Sequence, residues 1–210
     1  MEPALTSKTN SLPPLVLASG SPRRRELLEQ AGYVFTVVPA NEDVECGVCS
    51  ESGPAGLVTD LAFRKAAAVR QQLLAGEISK LLDPQTIILA ADTVADLDGF
   101  VLGKPRDESH ARAMLSQLSG RDHRVLTGVC LWPLNVGTPL IKMAVTKLRM
   151  DSLSDEQLDE YLDSGQWEGK AGSFGYQDRL GWVHIVEGSE SNVVGLPMEL
   201  LAEMLAELSG

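Results

Sequence analysis

Short apolar runs alternate along this chain with segments of helical period, and together they predict an α/β domain. Leu15-Val16-Leu17-Ala18 is a brief apolar run that Gly20 interrupts, and it reads as a first strand. Ser21-Pro22 then opens a helix: the hydroxyl can accept from a free backbone N–H, and proline loses nothing at the first helical position. Leu27, Leu28 and Ala31 give that helix an inward face, and Gly32 stops it. Val34–Val38 is β-branched and predicts strand two, ended by Pro39. Leu57, Leu61, Ala62, Val69 and Leu73 recur near helical spacing and predict a long helix from Gly56 to Leu74. Thr86–Ala91 is apolar on both faces, so it reads as a central strand that ends at Asp92-Thr93.

The second half continues in the same manner. Val94–Leu102 predicts a hairpin turning on Asp98-Gly99. Ser109–Leu118 is amphipathic, with Ala111, Met114, Leu115 and Leu118 on one side. Arg124–Leu134 and Leu140–Met150 read as two long strands of an antiparallel ribbon that extends the sheet. Ser154-Asp155-Glu156-Gln157 is a capping box for a helix that turns Leu158, Tyr161 and Leu162 inward and ends at Gly165. Trp182–Val186 reads as a further strand, and Met198–Leu208 as a last helix.

Composition sharpens this picture. With 210 residues, 44% of them hydrophobic, the chain can bury a core of its own, and residues 14–210 read as a single domain. The polar residues 1–13 read as a disordered tail without the apolar stretch of a signal peptide. No segment approaches the length of a membrane-spanning helix, so a cytoplasmic protein is expected. A net charge of −11 argues against a broad nucleic-acid surface. Cys46-Gly-Val-Cys49 has the spacing of half a zinc site, but no second such pair exists, and incidental loop cysteines are the expected reading.

On so acidic a chain, Ser19-Gly20-Ser21-Pro22-Arg23-Arg24-Arg25 is a focused positive site. Two hydroxyls, a helix start and three planar guanidinium groups collect at one turn, which suits a polyphosphate; solvated arginines on an ordinary helix are the plain alternative. Asn41-Glu42-Asp43-Val44-Glu45 follows strand two and could hold a divalent cation, or be a solvated loop. Lys65 is flanked by alanines that let it lie along its helix toward a pocket, whereas Arg64 reads as a solvent charge. Asp92 ends an apolar strand, where α/β sheets place ligands. The hairpin would swing Lys104 back toward Asp92. Gly165–Ala171 only superficially resembles a phosphate-binding Walker loop, being one residue short and ending in Ala171 rather than a hydroxyl. Ala171–Gln177 is glycine-rich and aromatic, and Gln177 can both donate to and accept from a base edge. His110, His123 and His184 form no triad with a serine. Carboxylates and cations without a positioned histidine or cysteine point to metal-assisted attack of water on phosphorus.

These blocks resemble a known family. Leu17–Arg24, Leu61-Ala62 with Lys65-Ala66, Ala91–Val94, Leu102–Pro105, Lys170–Gln177 and Val194–Pro197 are similar, in order and spacing, to the Maf family of nucleoside triphosphate pyrophosphatases. The resemblance runs from about Leu15 to Leu208. It implies an elongated mixed parallel and antiparallel sheet flanked by helices, with two lobes around a central cleft, as in inosine triphosphate pyrophosphatases. It implies hydrolysis between the α and β phosphates, with Mg²⁺ or Mn²⁺ as cofactor, and a homodimer. By motif, Ser19, Arg23, Arg24, Lys65 and Lys104 would bind the triphosphate. Asp92 would be the proton acceptor or a metal ligand. Glu42 matches the metal-side glutamate after strand two, with Asp43 and Glu45 beside it. Arg23, Thr93 and Gln177 match the triple that marks the dTTP/UTP branch. A tryptophan and a glutamate replace two of them in the 7-methyl-GTP branch. The resemblance further implies a house-cleaning role against surplus or modified nucleotides. The rivals are a 7-methyl-GTP pyrophosphatase, a phosphatase releasing orthophosphate, and a non-catalytic nucleotide-binding regulator of cell division.

Overall fold

Strand β3 is the axis of the sheet. The structure, a computed structural model, describes residues 13–41, 44, 53–75, 83–176 and 180–209. Seven strands form one sheet: β1 (Leu15–Leu17), β2 (Phe35–Val37), β3 (Ile87–Leu97), β4 (Phe100–Leu102), β5 (Asp122–Pro133), β6 (Leu140–Met150) and β7 (Val183–Glu187). Their order is β2-β1-β3-β5-β6-β7, with β4 attached to β3. The β1 pairings with β2 and β3 are parallel, and all the others are antiparallel. This is the mixed sheet that the motifs imply. The helices are α1 (Pro22–Gln30), α2 (Gly53–Ala75), α3 (Glu108–Leu118), α4 (Asp155–Asp163), α5 (Glu190–Val194) and α6 (Met198–Ser209).

Alternation along β3 sorts the core. Ile88 and Ala90 face α2, where they pack with Ala62, Ala66 and Val69. Ile87, Leu89 and Ala91 face the other side, with Leu28 of α1 and Leu201 and Met204 of α6. Further along, Ala95 and Leu97 join a separate cluster with Leu115, Leu148 and Tyr161 beneath α3 and α4. β3 thus carries two clusters on opposite faces of its first half and a third under α3 and α4 in its second half. Surface ion pairs such as Arg112–Asp159, between α3 and α4, add little to this burial.

The departures from expectation have local causes. Ser21 occupies the N-cap of α1, but its hydroxyl makes no capping bond; its N–H instead donates to Ser19 Oγ at 3.3 Å. Ala31 is exposed rather than inward, and Arg24 takes the buried position beside Leu28. β3 does not end at Asp92 but runs on to Leu97, because β5 pairs with it as far as Asp96. The hairpin turns on Asp98-Gly99 as expected, both with positive φ (54° and 90°). Helix α5 was not foreseen; Ser189 caps it by accepting from the Asn192 N–H. The expected disordered tail is outside the described residues except for Leu12's successor, Pro13.

Cys130 faces the α2 side of the sheet, fully buried, and burial pushes its thiol up to about 12. At pH 8 a thiol-specific reagent should therefore leave Cys130 unmodified in a native Cys46→Ser/Cys49→Ser variant and react only after unfolding. Prompt labelling of the native variant would contradict this packing. Cys46 and Cys49 themselves lie outside the described residues.

Candidate functional site

The sheet is interrupted where the candidate residues gather. β5 occupies one edge of β3 from Ile87 to Asp96, so β1 and β4 must share the other edge. β1 covers that edge from Ile87 to Leu89, and β4 covers it from Ala95 to Leu97. On that edge no strand among the described residues pairs with Ala90 to Val94. Ala18 N–H donates to Leu89 O at 2.8 Å and closes the covered stretch. Because backbone groups alternate along a strand, the amides of Ala91 and Thr93 face the interruption. Asp92 and Thr93 sit in its middle, and their side chains leave on opposite faces.

On the α2 face, Asp92 Oδ1 accepts from Lys65 Nζ at 2.6 Å, and both side chains are buried. Lys65 is buried and reaches Asp92, and Arg64 is exposed, as expected. Gly128 explains how α2 comes so close. It lies opposite Asp92 in β5, and a Cβ there would stand 2.3 Å from Val58 O and 2.8 Å from Thr59 N. Only a residue without a side chain admits the backbone of α2 at that point. Lys65 follows Val58 by two turns of the same helix and so reaches Asp92.

On the opposite face, Arg24 is the hub. Its Nε donates to Gly195 O at 2.8 Å, Nη1 to Ser19 Oγ at 3.0 Å and Nη2 to Thr93 Oγ1 at 3.1 Å. The guanidinium thus ties together the first turn, β3 and the loop before α6. Gly195 has φ of 121°, a conformation that costs other residues about 1–3 kcal/mol. Ser19 Oγ accepts from both Arg24 and the Ser21 N–H, so its own proton is left to donate elsewhere.

The remaining candidates divide. Arg23 is half-buried in the first turn of α1, and Lys104 is exposed just past the end of β4; neither pairs with a described residue. The hairpin does carry the chain back along β3, but the ladder stops with Leu102 opposite Ala95, short of Asp92. Glu42 and Gln177 lie outside the described residues, as do Asp43 and Glu45. Among the described residues no group of three or more His, Cys, Asp or Glu side chains converges on a metal position. A hard cation such as Mg²⁺ or Mn²⁺ often takes only one or two carboxylates and fills its shell with phosphate oxygens and water, which Asp92 fits. The histidines lie elsewhere. His123 is about 17 Å along β5 from Gly128, and burial lowers its pKa below the usual value. His184 pairs with Asp151 at 3.0 Å on the surface.

Sequence reasoning missed Gly128, Thr127, Asn192 and Gly195. Gly128 carried a signal: a glycine inside the β-branched and apolar run Val125–Leu131 marks a close backbone approach.

The family model described as Maf-like protein matches residues 14–208. The dTTP/UTP pyrophosphatase of Rhodopirellula baltica is 50% identical over 192 residues, covering 91% of this chain and 80% of that one. Those of Ruminiclostridium cellulolyticum and Symbiobacterium thermophilum are 38% identical over 198 residues and 42% identical over 194 residues. The alignments cover 93% of this chain and 96% of the first, and 92% and 93% for the second. Among solved structures, the Ham1 protein of Staphylococcus aureus aligns with a TM-score of 0.49 at 13% identity, over 94% of this chain and 98% of that one.

Proposed function

The chain belongs to the Maf family, and from that membership we propose that it is a pyrophosphatase that hydrolyses dTTP and UTP to the monophosphate and pyrophosphate. The observation that carries this reading is the arrangement around the open stretch of β3. A buried carboxylate–ammonium pair leaves one face of the strand, and a serine–arginine turn closes on the other. That pairing supplies both a base and anion donors at one place.

In this reading the triphosphate lies against the turn at Ser19. The Ser19 hydroxyl donates to a phosphate oxygen, and Arg23 and Lys104 add cationic donors. Asp92 takes the proton of a water whose oxygen bonds to the α phosphorus, while the bond from that phosphorus to the α–β bridging oxygen breaks and pyrophosphate leaves. Lys65 holds Asp92 in place through Oδ1 and would offset charge on the phosphates. Asp92, with Glu42, would also hold the divalent cation. When bound, that ion neutralises the polyphosphate and stabilises the charge that develops on it. Gln177 would read the pyrimidine edge, together with Arg23 and Thr93. A triphosphate substrate supports a cytoplasmic place of action. The same specificity fits removal of surplus or modified pyrimidine nucleotides.

The test is product analysis with dTTP, UTP, CTP, ATP and 7-methyl-GTP in the presence of Mg²⁺ or Mn²⁺. The expected result is pyrophosphate and monophosphate from dTTP and UTP, with the other three turned over at least about tenfold more slowly. Orthophosphate as product would make it a phosphatase instead. Preference for 7-methyl-GTP would move it to the other branch. Tight binding without turnover would leave the regulator.

A further inference from the structure

Arg24 and Thr93 do not stand alone on their face of the sheet. Thr127 lies opposite Thr93 in the antiparallel β3–β5 pair, and the two hydroxyl oxygens are 2.9 Å apart. Thr127 Oγ1 is also 3.3 Å from the backbone carbonyl of Asn192, to which it donates. Thr127 and Asn192 are both essentially fully buried. Asn192 is itself fixed, since its Nδ2 donates to Val125 O at 3.1 Å and to Thr146 Oγ1 at 2.9 Å.

The donors and acceptors on these atoms allow a chain from Arg24 to Asn192. Arg24 Nη2 can only donate, and the Asn192 carbonyl can only accept. Between them, Arg24 donates to Thr93, Thr93 to Thr127, and Thr127 to Asn192. A chain that begins on a cation and runs head to tail is strengthened at each step. It has a consequence for Thr93. The Thr93 oxygen already has Arg24, Thr127 and, at 3.3 Å, the Gly195 carbonyl around it. One hydroxyl offers one proton, so Thr93 donates either to Thr127 or to Gly195 O, and in both cases it accepts from Arg24. Through that guanidinium Thr93 is tied to the Ser19 turn.

We infer that Thr127 is a positioning residue for nucleotide selection, holding Thr93 and, through it, the Arg24 guanidinium and the Ser19 turn. The inference rests on the substrate site proposed above.

Thr127→Val keeps the shape of the side chain and removes the hydroxyl. It removes one of two donors from the Asn192 carbonyl, which keeps the Gly195 N–H at 3.1 Å, and lets Thr93 turn its proton to Gly195 O. The expected result is a KM for dTTP and UTP about tenfold higher, with kcat changed less, and a smaller preference for dTTP over CTP. Thr127→Ser restores the hydroxyl and should return KM and selectivity to within about twofold of wild type. Thr93→Val and the double variant complete a cycle, in which the two losses should fall short of adding. Binding of a dUTP analogue with an α,β-imido bridge, followed by calorimetry without turnover, gives a second readout. A purely structural Thr127 would change the melting temperature and leave KM and selectivity at wild-type values, which would overturn the inference. Wild-type protein that neither binds nor hydrolyses any pyrimidine nucleotide would overturn the proposed site, and the inference with it. Should the valine variant not fold, Thr127→Ala read against Thr127→Ser makes the same comparison.

Discussion

Asp92→Asn is expected to lower kcat for dTTP and UTP by roughly 10²–10⁴-fold, the usual contribution of a positioned general base. Asparagine keeps the shape of the side chain and an oxygen for Lys65, but it can neither take a proton from water nor offer a charged ligand to a cation. Nucleotide binding, which the proposed site assigns to the Ser19 turn on the other face of the sheet, should change only a few-fold. The split is what separates an enzyme from a binding protein: kcat collapses while Kd holds. Lys65→Met is the companion. It removes the 2.6 Å partner of Asp92 and a cation near the phosphates, so KM should rise as well as kcat fall. Both variants leave one half of a buried ion pair, a change that costs about 3–5 kcal/mol when the partner is simply lost. Melting curves must therefore accompany the kinetics. A folded Asp92→Asn protein that keeps more than about a tenth of wild-type kcat would remove Asp92 from the chemistry.

What could be read from the sequence and what could not follow from the range of each signal. The β1 strand, the α1 helix and the Asp98-Gly99 hairpin rest on neighbours a few residues apart, and periodicity and turn chemistry report those directly. Asp92 and Lys65 were legible one at a time, from an abrupt carboxylate after Thr86–Ala91 and from a lysine among alanines. Their 2.6 Å contact was not, because it depends on how α2 lies on the sheet. The continuation of β3 past Asp92 was hidden for a similar reason. Asp92-Thr93 looks like a strand end, yet the partner strand β5 holds it extended through Asp96. Arg24 shows the limit most clearly. In the sequence it is one of three equivalent arginines. In the fold it is buried and bonded to Ser19, Thr93 and Gly195, the last of them 171 residues away along the chain. Helix phase separates it from Arg23 and Arg25 and puts it beneath Leu28, one turn on, but the partners that bind it there come from distant segments.

Gly128→Ala should be nearly as damaging as loss of a charged residue, although it adds only a single methyl group. The new Cβ would meet Val58 O at 2.3 Å, Val58 C at 2.5 Å and Thr59 N at 2.8 Å. These are backbone atoms in a regular helix, so no rotamer change relieves the clash. The helix must move by about 1 Å to restore ordinary contact distances. Overpacking of this kind typically costs about 1–3 kcal/mol of stability. The larger effect is on turnover. Lys65 rides on the same helix two turns later, and a displacement of about 1 Å at a catalytic group can cost roughly 10²-fold in rate. The expected outcome is a folded protein with a lowered melting temperature and kcat reduced about 10²-fold. Gly137→Ala supplies the control, since a Cβ there meets nothing within 4 Å, and it should behave as wild type. If Gly128→Ala loses stability but keeps its kcat, then the close approach of α2 serves packing alone, and the contact between Lys65 and Asp92 does not need it. If kcat falls with the helix shift, a glycine in the middle of a strand belongs to the catalytic geometry as fully as the carboxylate opposite it.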